Sequence, residues 1–315
     1  MNKTKEVKIK LKDAFNLFLV EKETSSVGPK GISNYESTFR KFNKELNLTE
    51  NTLVNDITKQ HIMNWISFMK ESGIRSASIN HYLTEIRVFL YWCMEEGYLE
   101  NFKIKNIKAN EEVIKFYNDE EVNKLVKKPD KNCTFAEYRT YVIVCFCLST
   151  GARASTILNL KIEDIDFNRK EILYRHLKNR GVSIVPLSPS LEKILLEYLN
   201  LWKQQNPDWL FPDGNECQLT ISGLGQSLVR YCEKRGVKRR GVHALRHTFA
   251  RMFIMNGGNS FVLQKMLTHS NISTTQRYVK LFGSDLHSEV NAYSPLDNLK
   301  QTASRKQTIK RNING

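Results

Sequence analysis

The sequence predicts a mainly α-helical protein with a small antiparallel β-sheet, divided between two domains. Apolar residues recur every three or four positions over most of the chain, which is the spacing of one helix face. Only residues 171–175 and 183–186, on either side of a turn, have the pattern of short β-strands. The length of 315 residues fits about two domains of ordinary size.

Four apolar stripes in the first hundred residues predict a small all-α domain over residues 1–102. These stripes begin at Leu11, Ile32, Ile62 and Ile79. Ser76 or Ser78 is the expected N-cap of the last helix. The aromatic side chains in the stripes are expected in the core and not on a ligand. Residues 103–117 lose the helical spacing and are interpreted as a linker.

A second, mostly helical domain is predicted over residues 118–295. Asn118 is expected to cap its first helix, because three acids follow it and favour a helix N-terminus. A buried helix should run from Phe135 to Leu148 and end at the Thr150-Gly151 turn, before a hairpin that turns at 178–181. Further helical patterns cover residues 191–202, 221–231, 243–253, 261–267 and 274–281. Residues 296–315 form a basic tail.

The charge of the chain favours a polyanionic partner. There are 48 Lys and Arg residues against 33 Asp and Glu residues, a formal net charge of +15. A basic surface kept for solubility is the alternative explanation. The tail carries five basic residues and no acid from residue 299 onwards, so it could dock on phosphate or on a neighbouring subunit, or simply be a solvated end.

Several classes of function are excluded by what the sequence lacks. The longest apolar run, Tyr141 to Leu148, is far shorter than the ~20 residues that span a membrane. The polar N-terminus does not resemble a secretory signal, so a cytoplasmic protein without a membrane partner is expected. The six cysteines are scattered without a C-x-x-C pair, which predicts reduced thiols in the core and no structural metal.

Three segments carry residues suited to phosphate chemistry. Arg153 follows a glycine turn at a helix end. His243, Arg246 and His247 share a helical face, where imidazole and guanidinium groups would form an oxyanion or phosphate site. His269 lies nine residues before Tyr278. Each feature alone is ordinary, and only their combined order carries weight.

These segments resemble the motifs of the tyrosine recombinases of the phage-integrase family. In chain order they read TGAR at 150–153, LKNRGVSIVPL at 177–187, HALRHTF at 243–249 and LTHSNISTTQRY at 267–278. The resemblance covers essentially the whole chain. It implies a two-domain clamp, in which an N-terminal core-binding (SAM-like) DNA-binding domain precedes the tyrosine-recombinase catalytic domain.

The resemblance also implies a role for each matching residue. Tyr278 would attack the scissile phosphate and form a 3′-phosphotyrosyl link, releasing a 5′-hydroxyl. Arg153 and Arg246 would clamp the nonbridging oxygens, and Lys178 would protonate the leaving oxygen. His243 would be an acid/base near the tyrosine. His269 would hydrogen-bond the phosphate.

The sequence departs from the family's pattern at two positions, and it leaves two assignments open. Thr156 stands where an acidic residue is usual, and Thr268 stands where glycine is common. Spacing does not separate His243 from His247 as proton carrier; the resemblance favours His243 and leaves His247 structural. Arg175 and Arg180 lie in the same hairpin as Lys178 and are alternatives to it.

The chemistry of the residues supports the same set. A phenol of pKa near 10 needs a base and a positive potential to attack at neutral pH. Two arginines bind a phosphoryl group without losing their charge, in place of the metal pair of many phosphoryl-transfer enzymes. Glu163, Asp164 and Asp166 are expected on a loop and form no magnesium site. A nucleotide-binding G-x-x-x-x-G-K motif is absent, so no cofactor is predicted.

The resulting hypothesis is site-specific strand exchange on double-stranded DNA, which integrates or excises a mobile element. Alternatives are a type IB-like topoisomerase with the same chemistry and a noncatalytic DNA-binding protein on the same scaffold. The first predicted helix begins near residue 8, which favours direct binding to an inverted-repeat core site without an arm-binding domain. The resemblance implies a homotetramer on synapsed DNA, and a directionality factor or host accessory protein is a further possible partner.

Overall fold

The computed structural model describes residues 8–25, 27–108, 114–175, 181–201, 208–238, 240–268 and 272–282. The chain divides into two compact units, Met1–Val113 and Ile114–Gly315. The described residues form α-helices and one small antiparallel sheet, which confirms the predicted fold class. None of the described helices is long and apolar enough to cross a membrane.

The described helices of the first unit are arranged around the last of them. Their bounds are Leu11–Thr24 (α1), Pro29–Glu45 (α2), Lys59–Glu71 (α3) and Ser76–Glu95 (α4). Helix α4 packs against the other three and carries apolar residues on a broad face. Its N-cap is Arg75 and Ser76 is its first helical residue, so the predicted serine cap is wrong. The chain turns into the helix before either serine hydroxyl could take the capping position.

Aromatic side chains fill the core of the first unit, as predicted for those in the stripes. The Phe15 and Phe39 rings stack at 3.7 Å between centroids, and Phe89 meets Phe15 edge-on at 5.2 Å. The indole of the buried Trp65 donates to Glu45 (2.7 Å), and the indole of Trp92 donates to a glutamate of α1. Both buried indole N–H groups thus have a partner at the edge of the core.

Part of the predicted linker packs on the first unit. The Asn80 side chain accepts from the backbone N–H of Ile107 and donates to its carbonyl, both at 2.9 Å. Ile104 is buried beside this segment, and its N–H donates to the hydroxyl of Tyr91 (3.1 Å). Residues 104–107 therefore extend the core of this unit although they form no helix.

The second unit is built around a buried helix. The helices described in it are Asp119–Val126 (α5), Phe135–Thr150 (α6), Ala154–Leu158 (α7), Pro189–Leu201 (α8), Ile221–Lys234 (α9), Val242–Met255 (α10), Ser260–Met266 (α11) and Ile272–Phe282 (α12). Beyond its first turns, which carry Glu137 and Arg139, helix α6 is mostly apolar, and α5, α8, α9 and α10 pack around it. The side chain of Asn118 caps α5 by accepting from Glu121 N–H, as predicted. Helix α6 ends at Gly151, which has φ of +65°.

A three-stranded antiparallel sheet flanks this helical core. Its strands, in spatial order, are Ile165–Asp166 (β1), Glu171–Tyr174 (β2) and Ser183–Pro186 (β3). In the predicted hairpin Glu171 pairs with Pro186 and Tyr174 with Ser183. The expectation of a loop at residues 163–166 is wrong, because Ile162–Asp164 form a short 3-10 helix and Asp166 lies in β1. Residues 176–180, which include all of the predicted turn at 178–181 except Gly181, and the tail at 296–315 lie outside the described residues.

Candidate active site

The turn after α6 fixes Arg153 against the later motifs. Gly151 has a left-handed backbone, and a Cβ placed on it would lie 2.4 Å from Phe249 Cδ1 and 2.6 Å from Leu267 Cδ2. Only glycine has both the required φ and the required space. Arg153 follows as the N-cap of α7. The close approach therefore holds three segments, which are distant in sequence, in one place.

Arg246 connects the same segments from the first turns of α10. Its side chain is buried, with 5% exposure. One terminal nitrogen, Nη1, donates to Gly151 O and the other, Nη2, donates to Leu267 O, both at 2.7 Å. Burial first, and then the charge of Arg153, lowers the Arg246 pKa to about 10, so the group stays protonated at neutral pH.

The two guanidinium groups meet at one carbonyl. Nη1 of Arg153 donates to Leu267 O at 3.3 Å, the oxygen that Arg246 also contacts. The same nitrogen donates to Thr268 Oγ1 at 2.7 Å and approaches Thr268 O at 3.4 Å. Two cations are thus held side by side, an arrangement that favours an anion with several oxygens.

The tyrosine of the last motif lies beside these cations on α12. Tyr278 is 4% exposed and packs among Phe249, Leu263 and Leu267. Burial raises the pKa of its phenol, whereas the charges of Arg246, Arg277 and Arg153 lower it. An anion of the phenol would therefore be stabilised by the same guanidinium groups that could bind a phosphate.

His247 is the imidazole in contact with this phenol. Its Nδ1 lies 2.6 Å from Tyr278 Oη. Burial first, and then His243, Arg246 and Arg277, lower the His247 pKa to about 4, so the ring is neutral at pH 7. When the ring proton is on Nε2, Nδ1 accepts the hydrogen bond of the phenol and is placed to take its proton.

The geometry adds His247 as a candidate beside His243, the imidazole that the resemblance favours. His243 lies one turn earlier on α10 and is more exposed. Partial burial, followed by the charges of Arg246 and Arg153, lowers its pKa. The difference arises because α12 packs against α10 beyond its first turn, next to His247. The sequence pattern on α10 contains no signal for the position of α12.

Of the other residues considered for the site, the structure describes only some. Lys178 and His269 lie outside the described residues. Arg175, an alternative to Lys178, pairs with Asp164 and lies 3.6 Å from Glu163. Its guanidinium therefore faces carboxylates. Thr156, at the usual position of an acidic residue, is buried on α7, which packs against α9.

Replacement of Gly151 by alanine is expected to destabilise the second unit by about 2–5 kcal/mol, because the left-handed φ and the overpacking against Phe249 add. Urea unfolding should show the loss. Gly236→Ala is the matched control: Gly236 has φ of +59° with open space around it, so only the backbone cost of about 1–2 kcal/mol remains. Equal losses in the two variants would contradict the close approach at Gly151.

The low His247 pKa predicts a contribution to stability that depends on pH. The folded pKa of about 4 lies below the ordinary value of 6.5, so the unfolded chain binds a proton that the folded chain does not bind between these values. The unfolding free energy of the wild type should therefore fall from pH 7 to pH 5 more than that of His247→Gln. His243, whose pKa is also lowered, is present in the wild type and in the His247→Gln variant, so its contribution does not account for a difference between them. Parallel curves in urea titrations over this range would contradict the burial of His247.

Comparisons with known proteins give the same class as the fold and the site. Residues 115–284 match the model of the phage integrase family. A tyrosine recombinase of Pseudothermotoga lettingae is 27% identical over 78% of this chain and 85% of its own length. The tyrosine recombinase XerA of Saccharolobus solfataricus is 27% identical over 88% of this chain and 91% of its own length. The Tn1549 transposon integrase, in complex with a circular intermediate DNA, shares the fold with a TM-score of 0.73 and 19% identity, over 89% of this chain and 98% of its own.

The helical unit with its small sheet and its cluster of arginines and a tyrosine is that of a DNA breaking and rejoining enzyme. The chain belongs to the phage integrase family, whose tyrosine recombinases cleave and rejoin DNA through a tyrosine nucleophile. Its activity is site-specific DNA recombination.

Proposed function

We propose that this recombinase cuts DNA with Tyr278 and serves the integration or excision of a mobile element. The observation that carries the assignment is the shared carbonyl of Leu267, which accepts from both Arg153 and Arg246. Burial raises the pKa of the Tyr278 phenol, and the phenol lies close enough to both arginines for their charges to offset part of that rise. A nucleophile and two phosphate ligands are therefore neighbours.

The proposed step is an in-line displacement at phosphorus. The Tyr278 oxygen forms a bond to the scissile phosphate while the bond to the 5′-oxygen of the next nucleotide breaks. The phenol proton passes to an imidazole, and the leaving oxygen takes a proton to become a 5′-hydroxyl. Arg153 and Arg246 hold the nonbridging oxygens and offset the charge that develops on them. Attack by another 5′-hydroxyl reverses the step, so the bond energy is conserved and no nucleotide is consumed.

The proton transfers are assigned partly from geometry and partly from the resemblance. His247 is positioned to accept the phenol proton because its Nδ1 is already at hydrogen-bond distance. His243 remains a second acid/base candidate at the arginine pair. By resemblance Lys178 protonates the leaving oxygen and His269 hydrogen-bonds the phosphate.

Tyr278 has to be uncovered before it can react. At 4% exposure the side chain of Tyr278 lies within an apolar cluster to which α10 and α11 contribute, so little of it is accessible in this arrangement. We infer that DNA binding displaces side chains that cover Tyr278, while α12 keeps its place beside α10.

The partner is double-stranded DNA with an inverted-repeat core site, bound by a homotetramer in the synaptic complex. The net charge of +15 supports extensive contact with the phosphate backbone and predicts binding that weakens steeply with salt. A directionality factor or host protein could act on this assembly. The protein is expected to act on DNA in the cytoplasm.

A role in mobility is supported by one structural neighbour, the Tn1549 transposon integrase. The curated relatives are named as tyrosine recombinases, XerA among them, and support recombination between specific sites. The names of the transposon integrase and of the curated relatives are both consistent with strand exchange. The proposal is therefore tested by whether the protein exchanges strands between two copies of its DNA site.

The experiment begins with selection of the site. Duplexes are selected from a randomised pool by the Tyr278→Phe variant, and two copies of the selected site are placed in a supercoiled plasmid. The wild type is expected to exchange strands between the copies and to yield two circles, or an inverted segment when one copy is reversed. A plasmid with one copy is the control.

Three outcomes separate the candidate functions. Recombinant products from the two-site plasmid support the proposal. Relaxation of both plasmids without exchange would assign a topoisomerase. Binding without any nicking or relaxation would leave a noncatalytic DNA-binding protein.

A further inference from the structure

Thr268 has a backbone conformation that suits glycine better. It directly follows α11 and the adjoining Leu267, with φ of +50°. The left-handed region crowds the Cβ of any side chain, and a β-branched residue is an outlier there. The other described non-glycine residues with positive φ are Asn47, Lys170 and Glu216, and none of these is β-branched. A glycine would form the same turn without strain.

The side chain of Thr268 makes one contact that glycine could not make. Its Oγ1 accepts from Arg153 Nη1 at 2.7 Å. The same nitrogen lies 3.3 Å from Leu267 O and 3.4 Å from Thr268 O, and these backbone oxygens would be present with any residue. Among the described residues, the hydroxyl is therefore the nearest acceptor of the Arg153 guanidinium.

Anchoring at Nη1 controls which edge of Arg153 is presented. In a guanidinium group Nε–H and one N–H of Nη2 point the same way and match two oxygens of a phosphate. Within the described part of the chain, Nε and Nη2 of Arg153 make no hydrogen bond. A hydroxyl that holds Nη1 thus fixes the plane of the group and leaves the two-donor edge for a ligand, which reduces the rotamer freedom lost on binding.

We propose that Thr268 is a positioning residue that orients Arg153 toward the scissile phosphate. This inference rests on the proposed function of Arg153. The strain of a threonine at this φ is offset by the hydrogen bond to the arginine, which explains why the chain carries a hydroxyl where the turn alone would favour glycine.

Three substitutions separate the hydroxyl from the backbone. Thr268→Ser keeps the hydroxyl, Thr268→Val keeps the shape and removes the hydroxyl, and Thr268→Gly removes both the hydroxyl and the strain. The probe is the duplex selected from the randomised pool, nicked so that the released strand diffuses away. The measured quantities are the rate of covalent protein–DNA formation at saturating DNA, the DNA affinity and the melting temperature.

The expected order of cleavage rates differs from the order of stabilities. Thr268→Ser should cleave at a rate within about threefold of the wild type. Thr268→Val and Thr268→Gly should cleave about 10- to 100-fold more slowly, which is the change in rate expected when a hydrogen bond to a charged group is lost. DNA affinity should change little, because Arg153 contacts one phosphate among many. Thr268→Gly should melt within about 4 °C of the wild type or above it, because it relieves the backbone.

The design also tests the coupling to Arg153. In an Arg153→Met background, Thr268→Val should cause no further loss, because no side-chain nitrogen is left at position 153 to donate to the hydroxyl. A full additional loss there would overturn the inference. It would also be overturned if Thr268→Gly cleaved at the rate of the wild type, if Thr268→Ser lost as much as Thr268→Val, or if Thr268→Gly lost stability in proportion to activity.

Failure of the underlying function gives a different result. If the wild type forms no adduct, or if Tyr278→Phe forms one, the proposed chemistry is wrong whatever the Thr268 variants do. If only the wild type and the Tyr278 variant behave as expected, the function stands and the role of Thr268 alone is refuted.

Discussion

Replacement of Tyr278 by phenylalanine is expected to abolish covalent attachment to DNA while leaving DNA binding intact. The ring fills the same space among Phe249, Leu263 and Leu267, so the packing is kept. Only the hydroxyl is lost, and with it the oxygen that would attack phosphorus and the hydrogen bond to His247. The rate of adduct formation on the nicked duplex should fall below detection. Affinity for the intact duplex should stay within about twofold of the wild type, because affinity is dominated by phosphate contacts elsewhere.

The matched control is Tyr198→Phe. Tyr198 is a buried tyrosine of α8 whose hydroxyl has no hydrogen-bond partner within the described part of the chain. This variant also loses a buried tyrosine hydroxyl, but outside the candidate site, so it should form covalent adducts with DNA at the rate of the wild type. An adduct in Tyr278→Phe at more than a trace level would remove the residue from the role of nucleophile.

Replacement of Arg246 by alanine should produce the second largest effect, on both catalysis and folding. The lost charge and hydrogen bonds should slow cleavage by about 10²- to 10³-fold, as expected for a donor that stabilises the transition state. The carbonyl of Gly151 would lose its Arg246 partner in a buried position, which should lower the unfolding free energy by about 1–3 kcal/mol. Leu267 O keeps its contact with Arg153, so the loss there is smaller.

Two further variants separate these effects. Arg246→Lys keeps a positive charge but cannot reach Gly151 O and Leu267 O with two nitrogens at once, so intermediate activity is expected. Arg251→Lys alters an arginine on the same helix that pairs with Asp119, outside the candidate site, and should leave cleavage unchanged. If folded Arg246→Ala cleaves within about tenfold of the wild type, Arg246 does not bind the reacting phosphate.

The secondary structure was largely predictable because local signals agree with tertiary packing. Most side chains of the apolar stripes on α1 to α4 are buried, and the cap at Asn118 forms as expected. The stripe residues Leu19, Ile32, Tyr35, Leu46 and Ile66 are only partly buried. The strand β1 was not predictable, because two residues carry no periodicity and exist as a strand only through pairing with β2. The cap of α4 was mistaken because serine propensity was weighed without the path of the preceding turn.

For the candidate site, motif order predicted the neighbourhood but not its contacts. The resemblance predicted Arg153, Arg246 and Tyr278 as site residues. In the structure these three lie together, because of the close approach at Gly151 and the hydrogen bonds to the carbonyl of Leu267. The contact of His247 depends on how α12 packs on α10, and helix periodicity does not contain that information. In the sequence Thr268 stands out only as a departure from the glycine that is common in the family, and its contact with Arg153 depends on the tertiary fold.

The most direct test of the account is the identity of the amino acid that becomes joined to DNA. The wild type is trapped on the nicked duplex, the adduct is digested with protease and nuclease, and the modified peptide is sequenced by mass spectrometry. The account predicts one nucleotide 3′-phosphate attached to Tyr278, with a free 5′-hydroxyl on the opposite side of the cut. Attachment to any other residue, a 5′-phosphate linkage, or a cut without a covalent adduct would contradict it.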